Sequence, residues 1–440
     1  MNWVCRRGDV AGTLALPGDK SVSHRSVMLG AIAEGITEVT GFLPGEDCLA
    51  TVAAMRRLGA TIDCPASDRL VIHGTGVDGL QESGDEIYLG NSGTGMRLLA
   101  GLLAGMPFDS VLTGDRSLSS RPMGRIAEPL EQMGAAITTT AGHAPLRISG
   151  RRLHGIDYTL QIPSAQVKSA ILLAALQADG VTTLHETATT RDHTERMLRW
   201  FGAELTQRDK TLQLAGRQSL TGRSLEVPGD FSAAAFFIVA ALIAGAEPLR
   251  LTGVGVNPTR IGLLELLAMM GADINVSEVV SRCGEPVADI EVRRSDLRGI
   301  DVPPELVSLA IDEFPVFFIA AAFASGTTTL TGAAELRLKE SDRIAVMADG
   351  LKRLGVTATP ATDGISITGG TIGGGSIESR GDHRIAMAFA VASLAACEEI
   401  RINETDNVAT SFPSFVDVAN SVGFSITCDD SYGRTTSNCN

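Results

Sequence analysis

The sequence predicts an α/β protein of two large domains, each assembled from three copies of one unit. Three observations carry that expectation. The chain has 440 residues, more than one hydrophobic core usually holds. A helix-stop pattern recurs six times, and six Ala-rich helices interleave with it. The phrase Pro-Gly-Asp occurs twice, at 17–19 and 228–230, and the two copies bracket the first three units.

The stop pattern is an amphipathic helix, a glycine, a small residue and an alternating strand. It places Gly59, Gly134, Gly202, Gly271, Gly355 and Gly423 at the left-handed position that ends a helix. The Ala-rich helices are predicted to begin near Ser21, Thr94, Ala165, Ser232, Asp312 and Arg384. Their residues are nearly all apolar, so burial is expected; the other series has a 3.6-residue period and one polar face. Proline-glycine signals a turn, and aspartate beside a helix start is a cap. The chain is therefore expected to start in one domain, cross at 17–20, build three units, and cross back at 228–230. The division is residues 1–16 plus 229–427 for one domain and 17–228 for the other, with 428–440 a disordered tail.

Composition narrows the class. A net charge of −14 argues against a nucleic-acid partner or an anionic membrane surface, both of which need a basic field. Apolar runs such as 232–245 are too short to span a bilayer. No signal-peptide-like run opens the chain. The seven cysteines are scattered without a C-x-x-C pair, and no histidine cluster has metal-ligand spacing. Reduced thiols, a cytoplasmic location and no metal are expected.

Polar groups gather at the entrances of the buried helices. The first has Lys20, Ser21, His24 and Arg25; the second "GNSGTGMR", with Asn91, Gly93 and Arg97; the third Ser164, Ala165 and Gln166. The fifth has Asp312 and Glu313, and the sixth Asp382, His383 and Arg384. The fourth has only Asp230 and Ser232. Helix N-termini suit anions. Lys and Arg are disfavoured there by the same dipole, so a cationic entrance points to ligand rather than stability. Arg121, Arg125, Arg191, Arg196, Lys339, Glu340 and Arg343 come from the second helix series. Arginine matches phosphate and carboxylate bidentately. Entrances that converge on one cleft would repel each other until anions drew the halves together. "NSGTGMR" has the wrong glycine order for a dinucleotide fingerprint, and "GTLALPGDKS" the wrong spacing for a P-loop.

Taken together, "PGDKSVSHR", "GNSGTGMR", "TGDRSLSSRPMGR", "SAQVKSA", "TRDHTER", "IDEFP", "KESDRI", "DHRIAMA" and "ATSFP" resemble the 5-enolpyruvylshikimate-3-phosphate synthase family, in its class II bacterial form. The match runs in order from about residue 8 to 425. The resemblance implies a two-domain inside-out α/β barrel, the enolpyruvyl transferase fold, with six βαβαββ units, three per domain. It implies a monomeric transferase without cofactor, in the shikimate pathway of aromatic amino acid biosynthesis. Its substrates would be phosphoenolpyruvate and shikimate 3-phosphate.

Carried over by motif, Lys20, Ser21 and Arg25 resemble the shikimate 3-phosphate grip, with Ser164, Ala165 and Gln166 as further contacts and Arg191 on the 3-phosphate. Asn91, Gly93, Arg121, Arg343 and Arg384 resemble the phosphoenolpyruvate pocket, with His383 beside it. Asp312 resembles the base on the 5-hydroxyl, with Lys339 close by; Glu340 and Lys20 resemble the proton carriers at the methylene carbon. One departure is Ala409-Thr410 before "SFP", where relatives often carry a basic residue. Gly93 implies a pocket open to the family's inhibitor glyphosate, and the missing cation implies weaker hold on its phosphonate, so intermediate sensitivity is expected. The rival readings are UDP-N-acetylglucosamine enolpyruvyl transferase, whose relatives carry a loop cysteine near the Arg121 region, and a non-catalytic repeat scaffold.

Overall fold

The computed structural model describes residues 1–429. Six helices bury nearly every residue: Lys20–Ile32 (α1), Gly93–Leu103 (α3), Ala165–Ala175 (α5), Phe231–Ala244 (α7), Phe314–Phe323 (α9) and His383–Ser393 (α11). Six others keep an exposed face: Glu46–Arg57 (α2), Gly124–Gln132 (α4), His193–Trp200 (α6), Gly262–Met269 (α8), Arg343–Arg353 (α10) and Phe415–Ser421 (α12). All six stop glycines have positive φ, from 86° at Gly355 to 109° at Gly423. Each therefore takes the left-handed conformation that lets the chain leave a helix and enter a strand at once.

The strands form six small sheets among the described residues. In five of them one parallel pair lies beside antiparallel neighbours; in the sixth the parallel partner is a single bridge, Asp301 to Thr329. The pairing is cyclic in each half. Leu225–Glu226 returns to lie parallel to Glu34–Thr40, closing the first three units on themselves. Val10–Ala15 lies parallel to Gly245–Gly255, and Asn2–Arg6 runs between Ile400–Asn403 and Ser425–Asp429. The first fifteen residues thus complete sheets whose other strands come after residue 240.

That last strand corrects one expectation. Residues 428 and 429, expected in a disordered tail, belong to that strand: Cys428 pairs with Trp3 and Asp429 with Asn2. A half-apolar edge strand gains a partner there, which composition did not reveal. Residues 430–440 lie outside the described residues.

Buried apolar side chains form two clusters. One runs from Val22 to Val227; the other joins Trp3–Leu14 to Phe231–Ile426. Between them the twin Pro-Gly-Asp phrases lie side by side as an antiparallel bridge, Gly18 to Gly229. The amide of Asp19 donates to the carbonyl of Pro228 (2.8 Å), and that of Asp230 to Pro17 (2.9 Å). Gly18 admits no side chain, since a Cβ there would lie 1.8 Å from the carbonyl oxygen of Gly41. Each aspartate caps the helix behind it, Asp19 accepting from the Val22 amide (2.9 Å) and Asp230 from that of Ser232 (2.7 Å). Arg260, fully buried, ties the pair together: it binds Asp19, Asp230 (3.2 Å) and the Ser232 hydroxyl (2.7 Å). Among the described residues no helix is long and apolar enough to cross a membrane.

Candidate active site

Five of the six entrances deliver polar residues to the space between two lobes, one built on each buried cluster. On α1 the Asp19 cap sets Lys20 at the first helical position, where Nζ lies 2.5 Å from Oδ2 of Asp47 in the first turn of α2. The Lys20 amide donates to Asp230 (3.0 Å), so the crossing strands also hold this backbone. Arg25 follows just over one turn later, buried, with Nη1 donating to the Ser21 carbonyl (2.9 Å). Burial is the main cause that pulls its pKa down to about 10.

On α3, Ser92 caps and Gly93 begins the helix. The Asn91 amide donates to Asp115 Oδ2 (2.8 Å) and accepts from Arg121 Nη2 (2.5 Å). A methyl group on Gly93 would lie 2.9 Å from Arg121 Nη1 and 3.4 Å from Arg97 Nη1. Glycine there leaves room for two guanidinium groups. Arg97 donates to Gln166 Oε1 (2.5 Å) and to the Pro122 carbonyl (3.2 Å), and the Gln166 amide donates on to Thr94 (2.9 Å). Ser164 caps α5, placing Ala165 and Gln166 at its mouth.

The second lobe answers with carboxylates. Asp312 Oδ2 meets Arg191 Nη2 at 2.5 Å; Oδ1 lies 3.2 Å from Lys339 Nζ and 3.5 Å from Arg343 Nη1. Its carbonyl accepts from Arg384 (2.9 Å). Burial alone would raise this carboxyl, but Arg191, Lys339, Arg384 and Arg343 override it and hold it well below the usual carboxylate range. Glu340 is likewise held low: burial opposes, and Arg343 (2.6 Å) and Arg121 (3.4 Å) prevail. Arg343, 1 % exposed, is fixed from behind by Asp382 (2.9 Å), which also caps α11 and accepts from Ser341 (3.0 Å). Burial first, then the Lys20 charge, pushes His383 well below its ordinary value, so the ring is a neutral hydrogen-bonding group. Glu340, Arg384 and Arg343 also act on it electrostatically.

These contacts correct the expected repulsion across the cleft. Arg191 of the first lobe pairs with Asp312 of the second, Arg121 with Glu340, and Arg125 with Glu335 (2.8 Å). The cations face carboxylates, so the lobes attract without a ligand. Sequence reading saw like charges because it took Asp312 and Glu340 as reacting groups rather than as partners of the cations, and did not single out Glu335. It also passed over Asp47, and named Arg97 and Asp382 at helix entrances without giving them a role. Their signals were present: Asp47 in the first turn of an adjacent helix, Arg97 one turn past Gly93, and Asp382 as the cap beside His383. At the lip, the 3₁₀ turn Asp406–Thr410 packs over Gly45 of the first lobe, and the Thr410 hydroxyl is spent on the Asn407 carbonyl (2.7 Å).

Comparison with known proteins agrees with this arrangement. Residues 4–419 match the family model described as EPSP synthase (3-phosphoshikimate 1-carboxyvinyltransferase). A 3-phosphoshikimate 1-carboxyvinyltransferase of Halorhodospira halophila is 55 % identical over 439 residues, 99 % of each chain. One from Acidithiobacillus ferrooxidans is 56 % identical over 414 residues, 94 % of this chain and 96 % of the relative. A solved structure of EPSP synthase from Acinetobacter baumannii superimposes with a TM-score of 0.87 at 51 % identity, covering 97 % of this chain and all of that one. With six such units in the fold and relatives that match over nearly the whole chain, the chain belongs to the EPSP synthase family.

Proposed function

We propose that this cleft moves the enolpyruvyl group of phosphoenolpyruvate onto the 5-hydroxyl of shikimate 3-phosphate and releases phosphate, with the residues named above in the following roles. Lys20, Ser21, Arg25, Ser164, Ala165, Gln166 and Arg191 hold shikimate 3-phosphate. Asn91, Gly93, Arg121, Arg343 and Arg384 hold phosphoenolpyruvate, with His383 as a neutral hydrogen-bonding neighbour. Asp312 takes the proton of the 5-hydroxyl, beside Lys339. The oxygen attacks C2 of phosphoenolpyruvate while Lys20 protonates its methylene carbon, or Glu340 does once bound phosphate has drawn Arg343 and Arg121 off it and let it take up a proton. The tetrahedral adduct then loses that proton's equivalent and phosphate, restoring the double bond.

The observation that supports this most is the setting of Asp312, a partly buried carboxylate shared by cations from both lobes. In the free cleft four cations suppress its basicity. A 3-phosphate carrying roughly two negative charges would draw Arg191 away. The carboxylate would then become a stronger base only when the acceptor is bound. The proposal extends to two domains, 1–16 plus 229–427 and 17–228, pivoting at the paired phrases, and to a monomer working in the cytoplasm. Phosphate release measured with both substrates, each alone, and the Asp312→Asn variant tests it. Release must require both substrates and be lost in the variant.

A further inference from the structure

Arg25 lies in a cage that the reaction itself does not explain. Its Nε donates to the Thr194 hydroxyl (2.6 Å), its Nη2 to the Ser169 hydroxyl (2.8 Å), and the two hydroxyls touch each other at 2.7 Å. Thr194 lies on α6 and Ser169 on α5, and all three residues are buried. Each hydroxyl sits next in sequence to a member of a wholly buried ion cluster. Lys168, 0 % exposed, pairs with Glu195 (2.6 Å) and Glu186 (3.0 Å) and donates to the Thr190 carbonyl (3.2 Å).

Buried ion pairs are weak devices for stability, because desolvation offsets most of the attraction. They are good devices for register. Here the Lys168–Glu195 contact joins α5 to α6 at the point where Ser169 meets Thr194. Lys168 and Arg25 together balance Glu186 and Glu195, and Glu195 is the chief charge that favours the Arg25 cation. Three of the five guanidinium N–H groups are occupied by Thr194, Ser169 and the Ser21 carbonyl. The other two remain for a ligand, in a plane the cage dictates.

We infer that Thr194 and Ser169 are positioning residues for shikimate 3-phosphate, acting by fixing the plane of the Arg25 guanidinium through paired hydroxyls. This rests on the reading of Arg25 as a substrate contact. The test is steady-state kinetics of Thr194→Val, Thr194→Ser, Ser169→Ala, the Val/Ala double variant and Arg25→Ala, with thermal unfolding of each. Thr194→Val is expected to raise KM for shikimate 3-phosphate about ten-fold, with KM for phosphoenolpyruvate changed less than about three-fold. Thr194→Ser restores it, and the double variant is no worse than about the larger single, because both hydroxyls serve one group. If Arg25→Ala raises that KM but Thr194→Val and Ser169→Ala do not, the inference is wrong. It is equally wrong if both Michaelis constants rise together, or if Thr194→Ser fails to rescue. If Arg25→Ala itself leaves the constant unchanged, the substrate-grip reading falls and the inference with it. Should Thr194→Val not fold, Ser169→Ala and Thr194→Ser decide the matter by the same split.

Discussion

The two Pro-Gly-Asp phrases are one backbone written twice, and their difference separates scaffold from function. Asp19 and Asp230 cap their helices, bond across the lobes and share Arg260. Position for position, the first copy then has Lys20, His24 and Arg25 where the second has Phe231, Ala235 and Phe236. Behind Asp230 all fourteen residues of α7 are buried, and Phe231 is 0 % exposed. Behind Asp19 the same turn presents Lys20 to the cleft and Arg25 to the Thr194 cage. The fold supplies six helix entrances; side chains decide which of them meet a ligand and which are packed shut.

The comparison breaks if the loaded copy is dispensable. Lys20→Met should lower kcat/KM at least about a hundred-fold with little change in unfolding temperature, since the ammonium is partly exposed and its ion pair is with Asp47. Asp312→Asn should cut turnover by a similar factor, on the order of 10²–10⁴, and remain folded. A loss of only a few-fold in either would erase the contrast. Next comes the stripped copy: Phe231→Ala should cost about 3–5 kcal/mol of stability while leaving both Michaelis constants unaltered in the folded enzyme. A selective rise in one constant would show that this entrance, too, binds substrate.

A smaller effect sharpens the picture at α3. The methyl of Gly93→Ala would press on Arg121 Nη1, at 2.9 Å. Overpacking costs about 1–3 kcal/mol, comparable with the roughly 1.5–3 kcal/mol of the charge-assisted bond that Ala409-Thr410 leaves out. Intermediate glyphosate inhibition is therefore expected of the native chain. Gly93→Ala should weaken glyphosate by a larger factor than it raises KM for phosphoenolpyruvate; equal factors would refute the slot. The smallest effect concerns His24, which the second copy replaces with Ala235. Burial, then Lys20 and Arg25, holds its folded pKa well below 6.5. Below pH 6.5 the unfolded chain binds the extra proton, so stability falls as pH drops toward the folded value. His24→Gln should flatten that limb by at most about 1.4 kcal/mol per pH unit. An unchanged slope in chemical denaturation between pH 6.5 and 5 would show that His24 is charged in the fold.

Much of this was legible without coordinates. The stop glycines and the Ala-rich helices are local signals, set by φ > 0 and by burial of one uninterrupted apolar run, and the starts fall within two residues of those expected. The repetition of the Pro-Gly-Asp phrase was readable, but not that the two copies pair with each other, Gly18 to Gly229. Arg260 was not: it lies thirty residues past Asp230 in a segment, "VNPTRIG", that has no local mark of ion pairing. The carboxylates opposite the cationic entrances were visible as residues, but not as partners.

By itself, then, the sequence determined the units, their number, the helix entrances and the chemistry gathered there, because helix caps, glycine turns and apolar periodicity act over a few residues. Only the tertiary structure decided which charges meet. Arg191 lies 121 residues from Asp312, Arg121 lies 219 from Glu340, and Arg25 lies 169 from Thr194. The third contact depends on how α1 packs on α6 within one lobe, the first two on how two closed lobes face each other. That facing follows from the register of the crossing strands and the packing of whole helices, which no local pattern records.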